Sequence, residues 1–333
     1  MFAFIITNQD LSTLINFLLK MNSLHERNNP EHKSGWIKKR SNKLKLWQKR
    51  FLVLEASKLK YFHSESDQKP AGIIDFDVLT VQAILENNDF KLDISDCSRN
   101  FHFRCKTEQE ARDWVYFISM KSQVSKGSKA ISPVSLQDKF WKFDRISQHE
   151  FERVAETGDI LLFRGKSALS KMQRAVTRGK YDHVALLIRS TSNNNLFLFE
   201  VTGVEGVALL LWADFMLYSW HLLYSRLTFK KIHYDRSESN IRKLNEFIEN
   251  VRGMEYNLSA GKLMRNRQDK DPKNKKGFFC SELIATALKK IEVLDKSKPS
   301  SKYWPGDFDD EKLKVVFPAR ADNGLVIDFD LKN

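Results

Sequence analysis

The sequence predicts a two-domain protein, a small all-β barrel closed by one C-terminal helix and then an α+β domain, and three observations point there. The chain has 333 residues, long for a single hydrophobic core. From about Gly35 to Phe117, short runs of aromatic and β-branched residues alternate with turn residues and finish in one helical stretch. Residues 122–137 (SQVSKGSKAISPVSLQ) are then rich in Ser and Lys and read as a linker, after which a second compact region runs from about Phe140 to Phe317. The implied boundaries are an N-terminal helix and connector at 1–32, a barrel at 33–120, a linker at 121–139, a second domain at 140–318 and a peripheral tail at 319–333.

Composition narrows the function classes. A hydrophobic fraction of 42% and a charged fraction of 29% are ordinary for a globular chain and exclude disorder as the dominant state. The net charge of +13 favours acidic surfaces, although charge alone does not choose between nucleic acid and anionic lipid headgroups. No nucleic-acid-binding motif accompanies the basic residues, so nucleic acid is not the expected partner. The three cysteines, Cys97, Cys105 and Cys280, form no disulfide framework and fit a reducing, cytoplasmic setting. With no CxxC pair and no Cys/His cluster, neither a metal nor another cofactor is expected. The first residues, MFAFIITNQD, lack a basic n-region, and Asn8, Gln9 and Asp10 interrupt the apolar run, against a secretory signal. Leu11, Leu14, Ile15, Leu18 and Leu19 fall at helical spacing, the pattern of an amphipathic helix packed on the body of the protein, with a membrane anchor as the alternative. The apolar region Val207–Leu223 contains Asp214, Ser219 and His221 and falls short of the roughly 20 apolar residues a membrane span needs.

In the first domain, strands are expected at Trp36–Lys39, Trp47–Leu54, Lys58–Phe62, Gly72–Asp75, Phe90–Ile94 and Phe101–Cys105. In TEQEARDWVYFISM, Thr107 is placed as N-cap, and Ala111, Trp114, Val115 and Ile118 make one apolar face. Between Lys33 and Lys60 stand ten basic residues and one acid, Glu55, on two adjacent strands and their loop. Such donors can converge on one anion, or they can form a solvated basic edge. The segment GWIKKRSNKLKLWQKRFLVL, then LKYF, then the helix carrying Trp114, resembles a pleckstrin-homology (PH) domain over about residues 33–120. The resemblance implies a phosphoinositide- or protein-docking module and a peripheral membrane location. The family's lipid-binding pattern is a basic residue on the first strand and basic-x-Arg on the second. Lys39 and Arg50 match it, Gln48 occupies the intermediate position, and Lys38 and Lys49 are the neighbouring candidates.

Chemistry in the second domain concentrates in four stretches. ETGDILLFRG (156–165) is a turn leading into an apolar strand, KYDHVALLI (180–188) places His183 before another, and NLFLFEVTGVEGV (195–207) carries Glu200 on a third. In GFFCSELIATALKKI (277–291), Leu283, Ile284, Ala287, Leu288 and Ile291 mark a helix that Cys280 begins. A thiol there faces unpaired N–H groups and the positive end of the helix dipole, which favour thiolate. An adjacent imidazole would serve as base and acid, and a third polar group would fix its tautomer. His183 and Glu200 are the candidates for those roles. Asp182 competes with Glu200 as orienter, but successive strand residues point to opposite faces. The bland alternatives are a packed cysteine, a strand-edge histidine and a surface carboxylate. Asp159 reads as shaping its turn, His221 and His233 as structural, and Cys97 and Cys105 as packing residues.

Taken in order, Gly158-Asp159, His183, Glu200 and Cys280-Ser281-Glu282-Leu283 resemble the circularly permuted NlpC-type papain-like hydrolases, in particular the YiiX-like group. The resemblance covers about residues 150–295. It implies a permuted papain-like α+β fold and thiol-dependent cleavage of an amide or ester, or acyl transfer, with catalytic Cys280, His183 and Glu200. The substrate would be an amide- or ester-containing peptide or lipid. A second hypothesis is a membrane-associated adaptor whose hydrolase-like domain only binds an acylated or peptidic partner. The helix 238–253 is expected to pack through Ile241, Leu244, Ile248 and Val251, with Gly253 as C′ residue. The basic segment 261–277 reads as a loop, and the aromatic stretch 212–224 as a core segment or the wall of an acyl-accepting groove.

Overall fold

The computed structural model describes residues 32–41, 44–95, 97, 99–124, 139–257, 276–309 and 312–329. The expected N-terminal helix, residues 125–138 of the linker and all but the end of the 261–277 segment lie outside them. The chain divides into two compact units between Asp144 and Arg145.

The first unit contains β1 (His32–Arg40), β2 (Trp47–Glu55), β3 (Lys58–Phe62), β4 (Gly72–Asp75), β5 (Val81–Glu86), β6 (Asp89–Ile94), β7 (Phe101–Arg104) and α1 (Glu108–Val124). The strands are antiparallel in the order β4-β3-β2-β1-β7-β6-β5. Alternation supplies the interior: Leu52, Leu54, Leu59, Phe90, Phe101 and Phe103 are buried on one side, and α1 covers them with Ala111, Trp114 and Ile118. Thr107 Oγ1 accepts the Glu110 N–H at 3.2 Å, capping α1 as its side-chain chemistry predicts. The expected strands correspond to β1–β4, β6 and β7. β5 was not expected, because VQAILE exposes alternate residues and carries no aromatic.

Two boundaries differ from the sequence-based ones. α1 continues to Val124, where Ser122 Oγ donates to Val81 O at 2.6 Å. Phe140 and Trp141 belong to the first unit, with ring centroids 6.3 and 5.9 Å from Phe101, so the second unit starts at Arg145 and not at residue 140.

The second unit is built from β8 (Asp144–Ser147), α2 (Gln148–Val154), β9 (Ile160–Gly165), α3 (Ala168–Thr177), β10 (His183–Arg189), β11 (Leu196–Thr202), β12 (Gly206–Leu211), α4 (Trp212–Leu217), β13 (Tyr224–Lys230) and β14 (Ile232–His233). It continues with α5 (Glu238–Val251), β15 (Glu255–Tyr256), β16 (Gly277–Phe278), α6 (Cys280–Lys290), β17 (Arg320–Ala321) and β18 (Leu325–Asp328). The main sheet runs β12-β11-β10-β9-β13-β18-β8. Its strands alternate between two apolar layers. Ile160, Leu162, Val184, Leu186 and Phe199 pack with α5 and α6, whereas Leu161, Phe163, Ala185, Leu187 and Leu198 pack with Phe151 of α2 and Trp212 and Phe215 of α4. α5 buries Leu244, Phe247, Ile248 and Val251, and Gly253 follows it at φ +78° in the C′ position.

The tail expected to be peripheral is instead part of this sheet. β18 lies beside β13, with Thr228 opposite Val326, and buries Val326 and Ile327. A four-residue strand near the chain end has too short an alternation to stand out in sequence. A buried ion pair locks it. Arg145 Nε donates to Asp328 Oδ2 at 2.8 Å, and Arg145 Nη2 to Asp328 Oδ1 at 2.5 Å. Removing one partner strands a buried charge, so Asp328→Ala is expected to cost about 3–5 kcal/mol of stability. Equilibrium denaturation checks this; a loss under about 1 kcal/mol would contradict a structural role for the pair.

Candidate active site and basic cluster

The register of the second sheet brings His183 and Glu200 together. β10 opposes β11 with Leu186 facing Phe199 and Leu187 facing Leu198, so Glu200 is a diagonal neighbour of His183 on the same face. His183 Nε2 lies 2.5 Å from Glu200 Oε2. Glu200 is held from the other side by β12, opposite Ala208, and is largely buried. Phe163, opposite His183 on β9, places its ring centroid 5.1 Å from the imidazole and keeps it in an apolar setting.

Cys280 is the first residue of α6 and is buried. The start of that helix is pinned by a parallel pairing of Gly277 with Glu255 and of Phe278 with Tyr256. The backbones approach so closely at Gly277 that a Cβ there would sit 2.0 Å from Glu255 O, which only glycine avoids. The N-cap residue, Phe279, offers no side-chain acceptor to the first N–H groups of α6. Cys280 lies near enough to His183 for its charge to act on the imidazole. Burial alone would drive the imidazole toward its neutral form. The hydrogen bonds and charges of Cys280 and Glu200 outweigh it and raise His183 to about 10. Of the three residues selected from the sequence, Glu200 and His183 are in contact, and Cys280 stands at the head of α6 near His183.

Asp182 points elsewhere. Its carboxylate accepts the Gly165 N–H at 2.9 Å and pairs with Arg174 of α3, while Gln173 Nε2 donates to its carbonyl at 3.0 Å. This anchors the residue before His183 on the opposite side of the strand. Asp159, fully buried, accepts the N–H groups of Glu156 and Ile232 and pairs with Arg236 and Lys231, organising its turn. His233 pairs with Asp322 at 2.7 Å, and His221 packs on Phe329. Two tyrosines beside the site had no signal in the sequence beyond their ring. Tyr224 is pushed above its ordinary range by burial and then by the charges of Glu200, Asp182 and Cys280. Tyr256 is pushed to about 12 by burial and then by Cys280. Cys97 and Cys105 pack in the first unit, and burial, then nearby Glu110 and Asp89, raise Cys105 to about 12.

The first unit gathers a second group of residues. Lys39 is buried, its ammonium 5.1 Å from the Tyr61 ring centroid and 5.4 Å from that of Phe101. Burial, followed by the positive charges of Arg99, Arg50 and Lys142, lowers Lys39 to about 8. Arg50 Nη2 donates to Gln48 Oε1 at 2.6 Å, so Gln48 orients the guanidinium. Arg99 lies against Tyr61 and stacks 3.7 Å over the Trp141 ring. Lys38 and Lys49 are not part of this group. They oppose each other in the β1–β2 register on the other face, where Lys49 sits 4.3 Å over the Trp36 ring. Tyr61, Arg99 and Lys142 were missed in the sequence because two of them lie far from the basic run on β1 and β2.

The chain was compared with known proteins. The family model for the PH domain matches residues 31–123. A Dictyostelium discoideum protein described as a probable serine/threonine-protein kinase is 30% identical over 123 residues, 34% of this chain and 6% of its own length. Pleckstrin homology domain-containing protein 1 of Arabidopsis thaliana is 32% identical over 98 residues, 27% of this chain and 67% of its own length. The crystal structure of the metalloprotein yiiX from Escherichia coli O157:H7 aligns with 18% identity and a TM-score of 0.31, covering 42% of this chain and 68% of that one. The first relatives are thus matched over a small part of their length, 6% to 15%. Seven antiparallel strands closed by α1, the family match at residues 31–123 and the Arabidopsis relative agree: the chain belongs to the PH-domain proteins.

Proposed function

We propose that the chain is a thiol hydrolase or acyltransferase recruited to membranes by its PH domain, with Cys280 as nucleophile in a second domain of permuted papain-like fold. The observation that carries this is the His183–Glu200 contact near Cys280, the first residue of α6. Glu200 occupies Nε2, which leaves Nδ1 of the imidazole for the thiol. In the reaction the Cys280 sulfur attacks an ester or amide carbonyl while His183 holds the thiol proton. The backbone N–H at the head of α6 donates to the oxyanion that forms, and His183 then returns the proton to the leaving alcohol or amine. Water, or an acceptor hydroxyl or amine, attacks the acyl-enzyme and releases Cys280. His183 preceding Cys280 in the chain supports the permuted fold. A panel of model acyl esters and peptide amides, run before and after alkylation of Cys280, tests the reading.

The docking ligand proposed for the first domain is a phosphoinositide or other anionic headgroup held by Lys39 and Arg50. Each loses a charge-assisted contact on truncation. Lys39→Ala with Arg50→Ala is expected to weaken binding to phosphoinositide-containing vesicles by about tenfold or more, and Lys38→Ala with Lys49→Ala by much less. Sedimentation with liposomes reads both. Equal losses for the two pairs would refute the assignment to one face.

A further inference from the structure

One apolar surface belongs to neither site. α3 exposes Leu169, Met172 and Val176, at 69%, 59% and 77%, along one face, since positions i, i+3 and i+7 align on a helix. Its opposite side carries the buried Arg174 that pairs with Asp182. Next to the start of α3, the segment between α4 and β13 exposes Leu217, Tyr218, Leu222 and Leu223. Lys166 ties the two together: its N–H donates to Leu223 O at 3.1 Å and its ammonium to Leu222 O at 2.8 Å. The stretch from 212 to 224 therefore divides, with Trp212 and Phe215 in the core and its second half on the surface.

Charge identifies the occupant. Between Arg164 and Tyr181 the sequence holds six basic residues and no acidic one, and Lys166, Lys171 and Arg178 are exposed around the apolar face. Two copies of this chain meeting here would bring like charges together, which opposes self-association. An apolar helix face with exposed cations beside it, and Tyr218 and Trp220 next to it, matches the interface of an anionic bilayer, where acyl chains take the apolar side chains and headgroups the cations. We infer that α3 and residues 217–223 form a second membrane-docking surface, on the second domain and independent of phosphoinositide recognition. Tyr224, which follows this segment, packs against the same Phe163 ring as His183, with centroids 4.9 and 5.1 Å away, so the surface borders the candidate active site.

Flotation of the full chain with vesicles of phosphatidylcholine and phosphatidylserine, free of phosphoinositide, tests this. The wild type is expected to bind. Leu169→Glu with Met172→Glu is expected to weaken that binding by about tenfold or more, because it removes two apolar contacts and adds charge facing the anionic surface. Lys39→Ala with Arg50→Ala is expected to keep most of it. Both helix positions are solvent-exposed, and an unchanged circular dichroism spectrum shows that the variant folds. Unchanged binding by the helix variant, or complete loss in the Lys39/Arg50 variant, would overturn the inference. So would a wild type that sediments as a dimer and a helix variant that sediments as a monomer, which would assign the face to a second copy.

Discussion

Cys280→Ala is expected to abolish turnover of whichever acyl ester or amide the wild type cleaves, by about 10⁴-fold or more, while leaving the fold intact. Removing the nucleophile of a working triad leaves only binding and oxyanion stabilisation, which is why the loss is so large. Alanine is close to cysteine in volume, and Cys280 sits in an apolar layer with Leu283 and Phe278, so packing changes little. Steady-state kinetics on the best substrate, with thermal unfolding as the control, reads both parts. A variant retaining more than about a tenth of the activity would place the chemistry elsewhere.

The second large effect concerns Glu200. It holds His183 through a 2.5 Å contact and helps keep the imidazole charged against the pull of burial. Glu200→Gln keeps the shape and removes the charge, and is expected to lower kcat about 10²-fold. It should also move the alkaline limb of the pH–rate profile to lower pH. The sign follows from the raised value of His183, about 10 in the folded protein against 6.5 ordinarily. The imidazolium contacts contribute fully to stability below pH 6.5, fade as pH rises, and are lost through pH 10. With the carboxylate gone, that loss comes earlier. An alkaline limb that stays in place in Glu200→Gln would remove Glu200 from the role of positioning residue.

Much of this was legible in the sequence, for identifiable reasons. Strand alternation and one amphipathic helix were enough for the first barrel, since Leu52, Leu54 and Trp114 announce their burial by period and type. Cys280 stood out through its place at a helix start, and His183 and Glu200 through their order before it, which resembles the permuted hydrolases. What the sequence did not carry was set by tertiary contact. Tyr61 and Arg99 join Lys39 only once β3 and the residues before β7 fold back on β1. β18 is too short to show its alternation, yet it lies in the sheet because Arg145, 183 residues earlier, pairs with Asp328. The exposed side chains of α3 are a different case. The helix was not read from the sequence, and a period alone does not tell a buried face from an exposed one.

The pairing of Cys280 with His183 is tested most directly by alkylation rate as a function of pH. Iodoacetamide labelling followed by mass spectrometry resolves Cys280 from Cys97 and Cys105 in one experiment, with the buried Cys105 as internal control. The wild type is expected to label at Cys280 rapidly at pH 6, where an unassisted thiol reacts slowly, because the imidazolium of His183 stabilises the thiolate. His183→Ala is expected to slow that reaction about 10²-fold at pH 6 and to leave Cys97 and Cys105 unchanged. Cys280 labelling with the same rate and the same pH dependence in both proteins would contradict the pairing.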